Sequence, residues 1–402
     1  MRVACVGGGP GGLFAAVLLK QLPEVDGVTV YERSPEGVTH GWGVVFWDDL
    51  LDQLQIHDAP TAAAVREQAF TWTDQIIEVA GEQVNVGGHG YAMSRRALRA
   101  LLTERARAVG VDVRFGEPVD DPGAVLAEYD VVVAADGVHS VLRGTSSTFG
   151  TSVARGRNKF VWLGTDAVFG SFTFPFVRTE AGWLWAHAYG YDSHGSTFVV
   201  ETTPQTWTRL GFDALDTAAT MRKLEDIFAD QLDGHTLRPP GPTEGPTPWQ
   251  EFSTVRNQRW VDGRLVLLGD AAHTTHFTIG SGTRLALLDA MALATELGAA
   301  MRAHPGRIDA GLAAYQQRRI AELADVAAEA DASERWFTEV ERYLGYGARA
   351  FAQLLVDRRH LVARRLPGVY VGARRLRRTL ANGPLGTPVR AVTGKLRRTR
   401  SG

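Results

Sequence analysis

The 402-residue chain is 45% apolar and 22% charged, with a formal net charge of −2. That balance excludes a disordered or fibrous polymer, and the length exceeds one ordinary domain, so two interleaved domains and a tail are expected. A single cysteine, Cys5, rules out an internal disulfide and reads as a small filler in the first apolar strand, while the absence of a leader pattern and of an 18-residue apolar run points to a cytoplasmic protein.

The first predicted element is the short strand Arg2 to Val6, which runs into Gly7-Gly8-Gly9-Pro10-Gly11-Gly12. Gly7, Gly9 and Gly12 stand in the G-x-G-x-x-G spacing, which lets the backbone touch a pyrophosphate while the next helix points its N-terminal N–H groups at it. A second strand, Val28 to Glu32, ends in an acid 20 residues beyond Gly12, where a carboxylate can accept ribose hydroxyls and would repel a 2′-phosphate. Next comes Ser94-Arg95-Arg96-Ala97-Leu98, and then the apolar run Tyr129 to Ala135 enters Asp136-Gly137-Val138-His139-Ser140-Val141-Leu142-Arg143, a D-G-x-x-S-x-x-R string.

From Phe160 to Glu201, aromatic and β-branched residues alternate with polar ones, predicting an antiparallel sheet with one buried face. His187 and Tyr189 share a face there at a spacing of two. Pro239-Pro240-Gly241-Pro242 and Gly245-Pro246-Thr247-Pro248 predict a loop. Arg264 to Leu268 is another strand, entering Gly269-Asp270-Ala271-Ala272-His273, and Gly280-Ser281-Gly282-Thr283 opens a long apolar helix. The fold class is therefore α/β. Residues 1–70, 91–150 and 255–325 should form a doubly wound, Rossmann-like dinucleotide-binding domain, 71–90 and 151–254 an interleaved antiparallel-sheet substrate domain, and 326–402 a helical region with a basic tail.

After Asp357 the chain has 13 Lys and Arg and no Asp or Glu, so the preceding residues carry −15. Such a tail would attract phosphates, an acidic carrier protein or an anionic membrane surface, or it is simply a solvated helix face. Without interleaved aromatics it does not read as a nucleic-acid binder, and no His, Cys and Asp cluster has metal-ligand spacing.

The glycine triplet with Glu32, the D-G-x-x-S-x-x-R string and the G-D-A-A-H string, in this order, resemble the flavoprotein aromatic hydroxylases of the para-hydroxybenzoate hydroxylase type. The resemblance implies that Gly7, Gly9, Gly12, Glu32 and Arg33 hold the ADP half of FAD, with Arg95 meeting its phosphate or ribose side and Gly43 and Val44 close by. It further implies that Asp136 and Gly137 lie near FAD and the path of the nicotinamide donor. Gly269 and Asp270 would bind the ribityl or pyrophosphate portion, and Gly280, Gly282 and Thr283 would bring a helix N-terminus to the flavin pyrimidine. An ordinary helix cap is the plain alternative for Asp270. His273, general to the superfamily, reads as structural.

A closer resemblance rests on Gly41-Trp42-Gly43-Val44-Val45-Phe46, Phe160-Val161-Trp162-Leu163-Gly164-Thr165, Ala186-His187-Ala188-Tyr189, Ser196-Thr197-Phe198-Val199-Val200-Glu201 and His276-Phe277-Thr278-Ile279-Gly280. These strings are similar to salicylyl-CoA 5-hydroxylases, to the monooxygenase part of anthraniloyl-CoA monooxygenases and to the tryptophan-derivative hydroxylases of violacein biosynthesis. The implied reaction consumes NADH or NADPH and O2 and hydroxylates an electron-rich ring through a flavin C4a-hydroperoxide. The expected substrate is a salicylyl- or anthraniloyl-type thioester, on CoA or a carrier protein. Alternatives are a free tryptophan-like or other natural-product aromatic, or a flavin-binding partner of a biosynthetic complex without turnover. Such chemistry needs a dry pocket, for which Trp162, Phe174, Trp185 and Phe277 are candidates. His187, Tyr189 and His276 are candidates for handling the ring proton, with sheet core and structural turn as their plain alternatives. Trp183-Leu184-Trp185 resembles the start of a flavin-dependent halogenase string but continues Ala186-His187-Ala188, so halogenation is not expected.

Overall fold

Apolar segments from both halves of the chain form a six-stranded sheet in a computed structural model that describes residues 1–39, 41–240, 249–304 and 306–382, with side chains to residue 377. The strands run in the order Val261–Asp262, Leu265–Leu267, Val131–Ala134, Arg2–Val6, Gly27–Glu32 and Asp112–Phe115, all parallel except the first. Val131–Ala134 is buried along its whole length, which is why it reads as an unbroken apolar run rather than an alternating one. Pro10 starts the following helix, Pro10–Lys20, where its missing N–H costs nothing, and nine of that helix's residues are buried. Leu13, Phe14 and Leu19 are fully covered, each contributing about 1.5–3 kcal/mol. From Arg2–Val6 the chain moves to one neighbour, Gly27–Glu32, and later returns to the other, Val131–Ala134. The reversal opens a crevice at the carboxyl ends of the strands, and Gly7, Glu32, Asp136 and Asp270 all follow those ends.

The alternating segment forms a second sheet, in which Ser152–Thr165, Gly195–Thr202, Gly182–Asp192 and Phe172–Thr179 pair antiparallel in that order. Gln250–Arg256 and Leu237–Arg238 both join Ser152–Thr165. Gln75–Val79 adds to Phe172–Thr179 in parallel, and Glu82–Asn85 follows it, so residues from the 71–90 stretch extend this sheet. Register divides the sheet cleanly. Val161, Leu163, Leu184, Ala186, Ala188, Phe198 and Val200 face a core with Phe212, Leu224 and Phe228. Their strand neighbours Trp162, Trp185, His187, Tyr189, Val199 and Glu201 point to the opposite face. Gly43–Phe46, Gly90–Ser94 and Phe70–Trp72 make a small third sheet.

By internal contacts the two large sheets belong to one compact unit, Met1–Glu334, and Arg335–Gly402 to another. The helix Ile308–Thr338 runs unbroken through residue 326, where the sequence pattern suggested a boundary. Within the second unit, Trp336 stacks on Tyr343 with centroids 4.8 Å apart and also meets Phe351 at 5.5 Å. Most of the expected Pro-rich loop 239–248, from 241 on, and the part of the basic tail 358–402 beyond 382 lie outside the described residues. No described helix is long and apolar enough to cross a membrane.

Candidate active site

The glycine loop is held by contacts that only glycine permits. Gly7 has φ 112°, and a Cβ there would sit 2.2 Å from the Ala135 carbonyl oxygen, while one on Gly12 would sit 2.0 Å from the Gly7 carbonyl oxygen. Gly9 has nothing within 4 Å of its would-be Cβ, so its outer side can receive a ligand. Glu32 does more than await a ribose, since its carboxylate accepts N–H bonds from Gly8 at 2.8 Å and Ser34 at 2.7 Å. Arg33, next in the chain, is exposed. Arg99, which no sequence motif singled out, lies 3.7 Å from Glu32 and donates to the Val38 carbonyl, while its Nε and Nη2 are buried with no hydrogen-bond partner among the described residues.

The other two motifs are physically tied together. Asp136 accepts the Ser140 hydroxyl at 2.5 Å and the Val141 N–H at 2.7 Å, so its carboxylate caps the turn Val141–Gly144, while Gly137, at φ 84°, accepts the Ser140 N–H on its carbonyl at 3.0 Å. Buried Arg143 spans from that turn to the next motif, donating to Val138 O at 2.7 Å and Ala271 O at 3.0 Å. His273 is structural in this arrangement. It meets Asp289 at 2.8 Å, stacks on Trp260, and shares Asp289 with Arg319 at 2.7 Å and the Gly269 N–H at 2.9 Å.

Asp270 has an accessible side chain although protein surrounds it, as befits the wall of a cleft. Burial raises its carboxyl above the ordinary range, with His273 and Arg95 pulling the other way. Burial lowers the Arg95 guanidinium, which is opposed by Asp270; the arginine lies over the Trp162 ring at 5.4 Å. Gly280 has φ 63° and abuts Val45 and Trp47, after which exposed Gly282 and half-buried Thr283 begin the helix Gly282–Ala303 with their N–H groups uncovered by a capping side chain. Gly43 and Val44 are buried in their strand.

The polar-aromatic face of the large sheet meets the loop that precedes Gly280. His187 is 4% exposed and packs edge-on against Phe174 at 5.1 Å and Phe277 at 5.6 Å. Phe277 also meets Phe160 at 4.8 Å, and His276 meets Phe252 at 4.8 Å. Burial pushes His276 down to about 4, so its ring is neutral near pH 7, and it contacts Thr278 at 3.1 Å. The Tyr189 hydroxyl donates to Gly43 O at 2.9 Å, and burial raises it to about 12. That bond ties the sheet to the strand Gly43–Phe46 and takes up the hydroxyl proton. Trp185 is fully buried, with its indole N–H on Glu201 at 2.9 Å. In the sequence Glu201 is one more position in an alternating strand. Hollows of about 400 and 430 Å³ lie elsewhere, and neither is lined by these residues.

The FAD binding domain family matches residues 1–330. The chain is 33% identical to 3-hydroxy-4-methyl-anthranilyl-[aryl-carrier protein] 5-monooxygenase of Streptosporangium sibiricum, over 85% of this chain and 90% of that one. This chain belongs to the FAD-dependent aromatic monooxygenases. Within the family it is 41% identical to salicyloyl-CoA 5-hydroxylase of a Streptomyces species, over 86% of this chain but 66% of that longer protein. It is 30% identical to protodeoxyviolaceinate monooxygenase of Chromobacterium violaceum, over 89% and 95%. Among solved structures, PqsL of Pseudomonas aeruginosa in complex with 2-aminobenzoylacetate shares the fold at TM-score 0.66 and 20% identity, covering 86% of this chain and 98% of that one. The tetrameric 2-methyl-3-hydroxypyridine-5-carboxylic acid oxygenase does so at 0.64 and 20%, covering 86% and 92%.

The cradle suits the family's cofactor. Side chains at Gly7 and Gly12 would clash with backbone, Gly9 is open on its outer side, the buried nitrogens of Arg99 lie beside Glu32, and an exposed acid and an open helix N-terminus follow strand ends. Gly7, Gly9, Gly12 and Glu32 would hold the ADP half of FAD, and Asp270, Gly282 and Thr283 the flavin half.

Proposed function

We propose that the chain hydroxylates an electron-rich aromatic ring, taking electrons from NADH or NADPH and an oxygen atom from O2, with a salicylyl- or anthraniloyl-type thioester as substrate. Bound FAD would supply the redox chemistry, passing electrons from nicotinamide to O2 and one oxygen onward to the ring. The observation that carries the reading is the aromatic face on which Phe277, from the loop leading to the flavin-side helix, packs against His187. Trp162, Phe174 and Phe277 would clamp a ring and exclude water, which would otherwise divert the oxygen to peroxide. His187 would accept the proton of a ring hydroxyl or amino group as the ring is attacked. His276, neutral near pH 7, would act as a hydrogen-bonding wall. The proton-handling role does not pass to Tyr189, because its hydroxyl already serves Gly43.

Two relatives named for thioester or carrier-bound substrates support that substrate class. Exposed arginines of the C-terminal unit, Arg365 and Arg377 among them, would suit the phosphates of CoA or an acidic carrier. A free tryptophan-like aromatic is the second reading, supported by the violacein-pathway relative that this chain spans almost end to end. The test is NAD(P)H oxidation by FAD-loaded protein with salicylyl-CoA, anthraniloyl-CoA, their free acids and tryptophan. Thioester-only stimulation supports the first reading, tryptophan-only stimulation the second, and stimulation by none would favour a flavin-binding partner without turnover.

A further inference from the structure

The inner face of the large sheet carries a full charge with no obvious structural need for one. Glu201 is 1% exposed in the strand Gly195–Thr202, and three residues of that face and one of the neighbouring loop converge on it. Asn158 donates its amide to Oε1 at 2.7 Å, Trp185 donates its indole N–H to Oε2 at 2.9 Å, and His187 Nε2 lies 3.7 Å from Oε2. His276 is near enough to act on it electrostatically. Burial works to raise the Glu201 carboxyl, but the contact with His187, the field of both histidines and the Asn158 amide outweigh it and hold the group below its usual range. A carboxylate buried among Trp, Phe and His is costly unless it is paired, and a Gln would satisfy much of the same geometry without a charge. Register explains why the group reaches His187: Trp185 pairs with Glu201 and His187 with Val199, so the acid is the diagonal neighbour of the imidazole on one face.

We infer that Glu201 is a positioning residue that acts through His187, fixing the proton on Nε2 and stabilising the imidazolium that forms when the ring substituent gives up its proton. This rests on the reading of the aromatic face as a substrate wall. In that step the O–H or N–H bond of the substituent breaks, its electron pair stays with the ring system, and the proton passes to the other imidazole nitrogen while Glu201 stays ionised. The titratable groups that face His187 are Glu201 from the neighbouring strand and His276 from the flavin-side loop; Phe174 and Phe277 are neutral. His276 stays uncharged down to about pH 4, so of these two groups it is Glu201 that biases His187 near neutral pH.

The experiment is ¹⁵N NMR of histidine-labelled, FAD-loaded full-length protein, with the His187 signals assigned from a His187→Gln variant. The expected result is an Nε2 that carries a proton at every pH, and a His187 protonation midpoint that falls by at least about one pH unit, a tenfold change, in Glu201→Gln. Glu201→Asp, which keeps the charge, should restore Nε2 protonation. An unprotonated Nε2 in neutral His187, or an unchanged midpoint in Glu201→Gln, would overturn the inference. Should Glu201→Gln fail to bind FAD or fold, the tautomer in the unaltered protein still decides. Both readouts need no substrate, so a protein that no aromatic stimulates would sink the hydroxylase reading while the coupling of Glu201 to His187 stood or fell on its own spectra.

Discussion

Replacing Asp289 by alanine should cost more than almost any other single change in the first unit. The residue is fully buried on the helix Gly282–Ala303 and accepts three bonds, from the Gly269 N–H at 2.9 Å, His273 Nε2 at 2.8 Å and Arg319 Nε at 2.7 Å. Arg319 is itself 3% exposed, and without Asp289 its remaining ion-pair partner is half-exposed Glu322. Removing one member of a buried pair costs about 3–5 kcal/mol. Stranding the Gly269 N–H would add about 1–3 kcal/mol, but these losses overlap once the site relaxes or admits water. A total of about 4–6 kcal/mol is expected at pH 7. Asp289→Asn keeps an acceptor and should cost about half as much. The pH dependence follows from the sign of the shift. Burial raises the carboxyl, yet His273 and Arg319 outweigh it and hold it below its ordinary value. Its contribution is therefore present above the unfolded value of about 3.9 and is lost as pH falls toward the folded one, so the gap between variant and parent should close in acid. The assay is urea unfolding of FAD-loaded protein, followed by tryptophan fluorescence and FAD release, at pH 7 and in acid below about 3.9. An Asp289→Ala protein within about 1 kcal/mol of the parent at pH 7 would refute this account of the loop.

Asp270→Ala should lose FAD on gel filtration while keeping its far-ultraviolet dichroism, because the Asp270 side chain is exposed; retention of stoichiometric FAD would remove it from the proposed cofactor site. His276→Gln should leave the pH profile of turnover unchanged between pH 5 and 8, since the histidine is already neutral there, and a moved acidic limb would contradict that. Arg365→Glu with Arg377→Glu should raise the KM for a thioester several-fold at unchanged kcat, and a KM within error of the parent would refute phosphate or carrier docking by this unit.

The parts of the site that were legible in the sequence are those where backbone geometry dictates residue type. At Gly7 and Gly12 a Cβ would overlap a carbonyl oxygen, so the backbone requires the glycines that the spacing singled out, and strand-end motifs fall at the carboxyl ends of a parallel sheet. Alternation through Trp185, His187 and Tyr189 likewise put those residues on one face, as the register shows. Side-chain partners were not legible. The sequence put Asp136 near FAD without showing that its carboxylate caps the next turn, and made Tyr189 a candidate for handling the ring proton without showing that its hydroxyl donates to Gly43. Glu201 and Asp289 were missed although each left a trace: an acid inside an apolar strand and an acid on the buried stripe of an apolar helix. Both are rare without a partner, and a search for buried acids would have found them. Arg99 gave no comparable signal, since arginines are ordinary in an amphipathic helix such as Arg95–Ala108.

The central claim is that an oxygen atom from O2 enters an aromatic ring bound at this face. The direct measurement is turnover of the stimulating substrate by FAD-loaded protein and NAD(P)H under ¹⁸O2, with mass spectrometry of the product. The account predicts one ¹⁸O per hydroxylated product molecule and little peroxide. Product oxygen that comes from water, or NAD(P)H consumed wholly to peroxide with every aromatic offered, would contradict it.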